Sequence, residues 1–459
     1  MDFNLWFLGA ICLYLAGALA GLLGRSNLAV RWSAGGLGAL GSLALLIAGI
    51  SGLGLAAAGS TAQLALWDAA PFGALSFQVD GLSALMLVVI GLLGVFACWY
   101  SIDYLEIHES RSLNGIAFFS NLFLAAMALV VCANNAFYFL IFWELMTLTS
   151  YFLVIFDDHD PQVIQAGYLY MLVAHAGAAA IMLAFLALYS QTGSFAFADF
   201  HAAELSPAAA NLVFLLAFLG FAAKAGVVPL HIWLPRAHPA APSHISALMS
   251  GVMIKTAVYG ILRVCVDLLG APAAWWGVVV LCFGCLSAIL GVLYALVERD
   301  IKRLLAYSSV ENIGIILIGV GVGMVGVAEK LPALALAGFL AALYHLLNHA
   351  LFKGLLFLGA GAVIHATATR DLERLGGLAK RMPWTAAAFL TGALAVSAIP
   401  PLNGFASEWF TYQALFSAGR SAGAVRALGP LAALLLGLTG ALALMCFIKA
   451  YGGAFSGPA

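Results

Sequence analysis

Residues 136–156 read AFYFLIFWELMTLTSYFLVIF. At about 1.5 Å of rise per residue, this run reaches across the roughly 30 Å hydrocarbon core of a bilayer. Only a helix or a closed barrel pairs all its backbone groups there, and nothing in the run alternates as a barrel strand does. One carboxylate, Glu144, stands at its middle. A charge at that depth costs about 2.5–3.5 kcal/mol, so the stretch sets both the fold and the question of why the charge is kept.

The same pattern extends outward through the chain. Of 459 residues, 64% are hydrophobic and 8% charged, and the mean hydropathy is +1.06. Nineteen basic and 20 acidic residues cannot coat a 47.8 kDa globule, which excludes a water-soluble protein and leaves the lipid bilayer as the solvent for most of the surface. A net charge of −1 without a basic face excludes nucleic acid as a partner. The expected fold is all-α, a polytopic transmembrane helix bundle. Its thirteen spans are Phe3 to Leu23, Ala34 to Leu55, Leu82 to Tyr100, Ile116 to Ala133, Ala136 to Phe156, Gln165 to Tyr189, Asn211 to Leu234, Ile245 to Val266, Ala274 to Leu296, Leu304 to Met324, Leu334 to Ile364, Trp384 to Ser417 and Leu428 to Tyr451.

The first span has an acidic flank and is long enough to cross, which argues against a cleaved leader. Loops after odd-numbered spans carry Arg25, Arg31, Arg111, Arg236, Arg299, Lys302, Arg303, Arg370, Arg374, Lys380 and Arg381, with Lys449 near the end. The other side has Arg263, Lys330, Arg420 and Arg426. This bias places the odd loops and the C-terminus in the cytoplasm and the N-terminus outside. The seven cysteines sit in apolar runs, and Cys282 and Cys285 form a lone C-x-x-C that reads as packing, not as a metal or redox site.

Five charges remain inside spans: Glu144, Lys224, Lys255, Lys353 and Glu408. Unpaired, they would cost about 12–18 kcal/mol, and buried ion pairs are generally no more stabilising than apolar residues of the same volume. Structural pairing alone is therefore the weaker explanation; for Lys353, snorkelling to a loop is a stronger competitor. His345, His349 and Lys353 follow at i, i+4 steps and drift only about 80° around the helix, forming a polar stripe. His345-x3-His349 has the spacing of a zinc helix but lacks the following Glu and a third ligand. Groups titrating near neutrality in a row inside a bilayer suit a proton relay better than metal binding or packing.

Two spans are interrupted, the seventh by Lys224-Ala-Gly-Val-Val-Pro229 and the twelfth by Ile399-Pro400-Pro401-Leu-Asn-Gly404. Proline frees carbonyls that hydrocarbon cannot satisfy, so such breaks belong beside protein or a water-filled cavity. Both lie close to a charge, as in the discontinuous helices that build ion sites. Lys224 and Glu408 recur in the two broken spans, and Lys255 and Lys449 in the spans after them. The expected organisation is therefore three N-terminal helices (1–110) and two five-helix repeats, 111–270 and 271–459. An odd helix number makes the second repeat inverted in topology.

FWELMTLTSYFLV, FAAKAGVVPLHIWLPRAHPAAPSHISALMSGVMIKTAVYGILR, DIKRLLAYSSVENIGII, HLLNHALFKGLLFLGAGAVIH and IPPLNGFASEWFTYQ resemble the antiporter-like, proton-translocating membrane subunits of the complex I and hydrogenase-4 (formate hydrogenlyase) family. The resemblance runs over nearly the whole chain. PSHISALMSGVMIK, AYSSVENIG and PPLNGFASEW favour the hydrogenase-4 branch over complex I itself or multisubunit sodium/proton antiporters. The chain departs from the family in having thirteen spans where fourteen are usual.

The resemblance implies a bacterial or archaeal inner-membrane subunit that moves H⁺, with Na⁺ as the alternative. It pairs Glu144 with Lys224, makes Lys255 the central lysine, His345 and His349 the bridging histidines and Glu408 the terminal site. Lys353, Lys449 and His231 are secondary relay candidates. No cofactor is expected in this chain, which has no phosphate-binding loop and no cysteine cluster. Iron–sulfur clusters and a nickel–iron centre are expected in partner subunits, which comprise other membrane subunits and a peripheral cytoplasmic redox arm. A structural membrane anchor without transport is the competing reading from another class.

Overall fold

The computed structural model describes residues 2–69, 72–108, 112–419 and 424–457; Arg111 and Arg420, used above for orientation, lie outside them, as does the expected boundary at 110/111. The chain opens with helices α1 (Phe3–Leu23) and α2 (Asn27–Ala57), then strands β1 (Ala62–Ala69) and β2 (Gly73–Val79). Next come α3 (Gly81–Tyr104), α4 (Asn114–Cys132), α5 (Ala136–Val154), α6 (Pro161–Thr192), the short α7 (Phe197–His201) and α8 (Pro207–Ala225). After a 3-10 turn (Leu230–Trp233) follow α9 (Leu234–Ala240), α10 (Ser243–Leu248) and α11 (Ile254–Ile261). The chain ends with α12 (Ala274–Val297), α13 (Ile301–Ala328), α14 (Pro332–Thr367), α15 (Pro383–Val396), α16 (Asn403–Ala418) and α17 (Ala424–Phe455).

Twelve stretches among the described residues are long and apolar enough to cross a membrane. They correspond to the expected spans one to eleven and thirteen. The twelfth is split, as its prolines require, into α15 and α16. Large apolar side chains such as Leu5, Leu336, Leu434 and Ile448 point outward, each more than 60% exposed, as expected of a surface facing lipid. The fold is a polytopic α-helical membrane bundle.

The antiparallel ribbon of β1 and β2, with Ala62 opposite Val79 and a bulge between Ala65 and Trp67, departs from the all-α expectation. Its cause is local. ALSFQV alternates with a period of two, Leu75, Phe77 and Val79 against Ser76 and Gln78, which suits a strand and not a helix, and Ala62–Ala69 pairs along it.

Two compact units form. The first comprises Met1–Phe221 with Ala240–Val264, the second Ala222–Pro239 with Cys265–Ala459. In the first, α2 packs on α3 and α1, and α4 on α1 and α5. In the second, α13 is sandwiched between α12 and α14, and α16 lies against α14. The break before α16 is tight: a Cβ on Gly404 would sit 1.8 Å from the Ala395 carbonyl oxygen, so only glycine lets the start of α16 approach the end of α15. At the other break, Gly226 has φ +77°, a left-handed conformation that glycine adopts without strain.

Candidate functional site

In the first unit, Lys255 lies at the start of α11, fully buried. A π turn, Met249–Met253, precedes it. Such a turn redirects carbonyls away from regular helical pairing, and the Lys255 ammonium donates to one of them, that of Ser250. Thr256 Oγ1 donates to the Met253 carbonyl at 2.6 Å and reaches Met146 Sδ on α5 at 3.5 Å. The Tyr170 hydroxyl of α6 bonds Ser150 Oγ on α5 at 2.6 Å. Side chains of α5 and α6 thus meet the Lys255 segment, Met146 at Thr256 and Tyr170 at Met253.

Glu144 projects from α5, with one third of its side chain exposed, and its Oε2 lies 3.5 Å from Nε2 of His175 on α6. The His175 Nδ1 lies 3.1 Å from the Met171 carbonyl, which can only accept, so Nδ1 carries a hydrogen. The sequence reading overlooked His175 as a companion for Glu144. Its position seven residues after Tyr168 in the next helix carries no signal that would single it out.

The second unit holds Lys224, His231, His345, His349, Lys353, Glu408 and Lys449. His345, His349 and Lys353 share one buried face of α14, as the i, i+4 spacing predicts, and the two imidazoles lie nearly parallel with centroids 6.4 Å apart. Lys353 does not snorkel: it is wholly buried and donates to the Leu305 carbonyl of α13 at 3.1 Å, with its ammonium 5.5 Å from the Phe447 ring. Glu408, 6% exposed, sits on the first turns of α16 just beyond the break.

Glu311, on α13 and 1% exposed, was missed among the intramembrane charges. It accepts from Ser308 Oγ at 3.0 Å and interacts electrostatically with both Lys353 and Glu408. A carboxylate inside the apolar run Leu304 to Met324 is legible in the sequence, and the span rule that isolated Glu144 would have found it. Beside it, Asn312 Oδ1 lies 3.1 Å from His345 Nε2, and Ser407 Oγ lies 2.9 Å from His345 Nδ1. The cluster therefore links α13, α14 and α16 through groups able to gain or lose protons.

Two secondary candidates sit apart from it. The Lys449 ammonium donates to the carbonyls of Leu296 at 2.5 Å and Glu298 at 2.7 Å, closing the C-terminus of α12 where a cation is favoured. The His231 ring lies 6.1 Å and 6.2 Å from the rings of Tyr294 and Tyr307. Lys224 is 2% exposed at the end of α8. Among the described residues, no group of three or more His, Cys, Asp or Glu is placed to hold a metal ion.

The transmembrane family described as NADH:quinone oxidoreductase/Mrp antiporter matches residues 133–429, which contain every candidate above except Lys449. The chain belongs to this family. The N-terminal part of complex I chain 5 (NADH-ubiquinone oxidoreductase) also matches residues 74–113. Hydrogenase-4 component B of Escherichia coli (strain K12) is 57% identical over 370 residues, 80% of this chain and 55% of that protein. Formate hydrogenlyase subunit 3 of the same organism is 42% identical over 371 residues, 80% of this chain and 59% of that one. The chain thus spans little more than half the length of the curated relatives it matches. Among solved structures, a chain of the Mrp complex from Dietzia sp. DQ12-45-1b superposes with a TM-score of 0.83 at 26% identity, covering 99% of this chain and 80% of that one.

Proposed function

We propose that this chain is the proton-translocating, antiporter-like membrane subunit of a redox-driven complex of the hydrogenase-4 and formate hydrogenlyase type. The observation that carries the proposal is the cluster in the second unit, where two carboxylates, a lysine and two histidines are held out of water on three packed helices. Charge in that setting is costly, and a packing role would be served as well by apolar residues. In the first unit Lys255 takes up a proton, with Glu144 supplying the charge that controls it; in the second His345, His349, Lys353 and Glu311 exchange protons with Glu408. Lys224 stands beside the Gly226–Pro229 break, as an ion site in a discontinuous helix would.

The energetics allow one ion pair to load or release a proton. An opposite charge at about 4 Å and an effective dielectric of about 20 is worth roughly 4 kcal/mol. Moving one charge against 100 mV costs about 2.3 kcal/mol. Making or breaking one ion pair is thus enough to load or discharge a proton. In this reading the odd-numbered loops are cytoplasmic and the subunit sits in the inner membrane of a bacterium or archaeon. Other membrane subunits flank it, and a peripheral arm with iron–sulfur clusters and a nickel–iron centre supplies the energy. The architecture of the two five-helix repeats, 111–270 and 271–459, belongs to the same proposal.

The family's description as an Mrp antiporter favours a second reading, sodium/proton exchange without a redox partner. Both readings are tested by placing the chain with its native partners in sealed vesicles and following internal pH during the redox reaction. Lys255→Ala or Glu144→Ala in fully assembled complexes should stop proton movement; continued movement would refute the relay. Transport that requires sodium and proceeds without the redox arm would establish the second reading instead.

A further inference from the structure

The His345 ring is held at both nitrogens, and the two contacts differ in kind. On one side, Asn312 Nδ2 donates to the Ser308 carbonyl at 2.8 Å, which turns Asn312 Oδ1 towards the ring, 3.1 Å from Nε2. An amide oxygen only accepts, so Nε2 keeps its hydrogen whether the ring is neutral or charged. Proton exchange is thereby confined to Nδ1. On that side stands Ser407 Oγ, 2.9 Å away and fully buried.

Ser407 Oγ also lies 3.0 Å from the Gly404 carbonyl and 3.2 Å from that of Asn403. A serine bonding back to its own helix is common; one that also faces a histidine nitrogen has two uses for a single hydrogen. With the ring neutral, the hydroxyl donates to Nδ1. With the ring charged, Nδ1–H donates to Oγ and the hydroxyl hydrogen turns to the Gly404 carbonyl. Both states are fully bonded and no heavy atom moves between them.

We infer that Ser407 is the positioning residue that lets His345 accept and release a proton at Nδ1, by rotating its hydroxyl between that nitrogen and the Gly404 carbonyl one turn back on the same helix. The inference rests on the relay proposed above and names the atom through which that relay passes. The step balances as a relay through the hydroxyl: as Ser407 Oγ passes its hydrogen to Nδ1 it takes one from a neighbouring titratable group, so one N–H bond forms as one donor bond breaks, and release runs the same exchange in reverse. Ser407 directly precedes Glu408 on α16, so the break before that helix fixes where both residues begin. The titratable groups in reach within this unit are His349 and Lys353 on α14, Glu311 on α13 and Glu408 on α16; α15 contributes none.

The test uses the assembled complex in sealed vesicles, with assembly verified on native gels and the pH profile of proton movement as the readout. Ser407→Ala removes a charge-assisted bond from the imidazolium but only an ordinary one from the neutral ring. Translocation near neutrality should fall about tenfold, with the pH profile displaced by about one unit towards acid. Ser407→Thr, which keeps the hydroxyl, should restore both. An unchanged profile in Ser407→Ala, or no rescue by threonine, overturns the inference. Should the alanine variant not assemble, Ser407→Cys, with its weaker donor, carries the test: a smaller shift in the same direction upholds the inference and an unmoved profile overturns it. His345→Gln separates the two levels. If it leaves translocation intact, the relay itself falls; if it blocks translocation while Ser407→Ala leaves the profile unmoved, only the role of Ser407 falls.

Discussion

Replacing Arg263 with methionine should destabilise the first unit by about 3 kcal/mol. Arg263 lies in the π-helical stretch Leu262–Leu268 that follows the Lys255 helix, and its guanidinium forks onto Asp80 at 2.6 and 2.9 Å. It also donates to Ser83 Oγ and to the Tyr259 hydroxyl, each at 3.1 Å. Asp80 in turn caps α3 by accepting from the Ser83 N–H at 2.9 Å. Removing one partner of a buried pair costs roughly 3–5 kcal/mol. The low end applies because the Asp80 side chain is 29% exposed.

Asp80→Asn keeps the cap and loses the charge, so the double variant Asp80→Asn/Arg263→Met should recover about 2 kcal/mol relative to the sum of the single changes. The pH dependence follows from the same geometry. Burial pushes the Asp80 carboxyl up, but the bonds and charge of Arg263, with Ser83, outweigh it and hold the group below the usual carboxylate range. The stabilisation is therefore complete above the unfolded value of about 3.9 and lost as pH falls through the lower folded one. Unfolding followed by tryptophan fluorescence in detergent, from pH 7 to pH 3, measures the cycle. Single variants within about 0.5 kcal/mol of the parent protein, or additive effects in the double variant, would refute the clamp.

Three further outcomes are expected. Glu311→Gln, which keeps the shape and the Ser308 contact but removes the charge facing Lys353 and Glu408, should lower proton translocation at least about tenfold in assembled complexes, read by a pH-sensitive dye in vesicles. Lys449→Met should cost about 2 kcal/mol in thermal stability by stranding the carbonyls at the end of α12, while translocation per assembled complex stays unchanged; a transport defect would make Lys449 a relay group after all. Gly404→Ala forces a methyl into the Ala395 carbonyl, so it should destabilise the second unit by about 3 kcal/mol and impair transport by displacing Ser407 and Glu408, measured by unfolding and by the same vesicle assay.

Much of the candidate site was legible because its signals are local. The histidine–lysine stripe of α14 follows from spacing on one helix, and the breaks at Pro229 and Pro400–Pro401 follow from a missing N–H inside an apolar run. Glu311 is equally readable, a carboxylate inside an apolar span. His175, Asn312 and Ser407 were not readable. Each matters through a partner on another helix, 31 residues from Glu144 for the first and 33 and 62 residues from His345 for the others, and nothing along the chain records which faces meet.

Hydropathy and segment length alone determined that this protein spans a membrane as helices, because the cost of an unpaired peptide group in hydrocarbon leaves so few solutions. Period-two alternation in ALSFQV marks one strand of the ribbon, whereas AQLALW has no such pattern and is a strand only because it pairs with it. What only the tertiary structure decided is the wiring: that Lys353 is sealed in and not snorkelled, that Lys449 closes a helix end, that a π turn offers Lys255 a carbonyl, and that both nitrogens of His345 are met from two different helices. Hydrogen bonds depend on direction and distance to within tenths of an ångström, and those are fixed only when the helices pack.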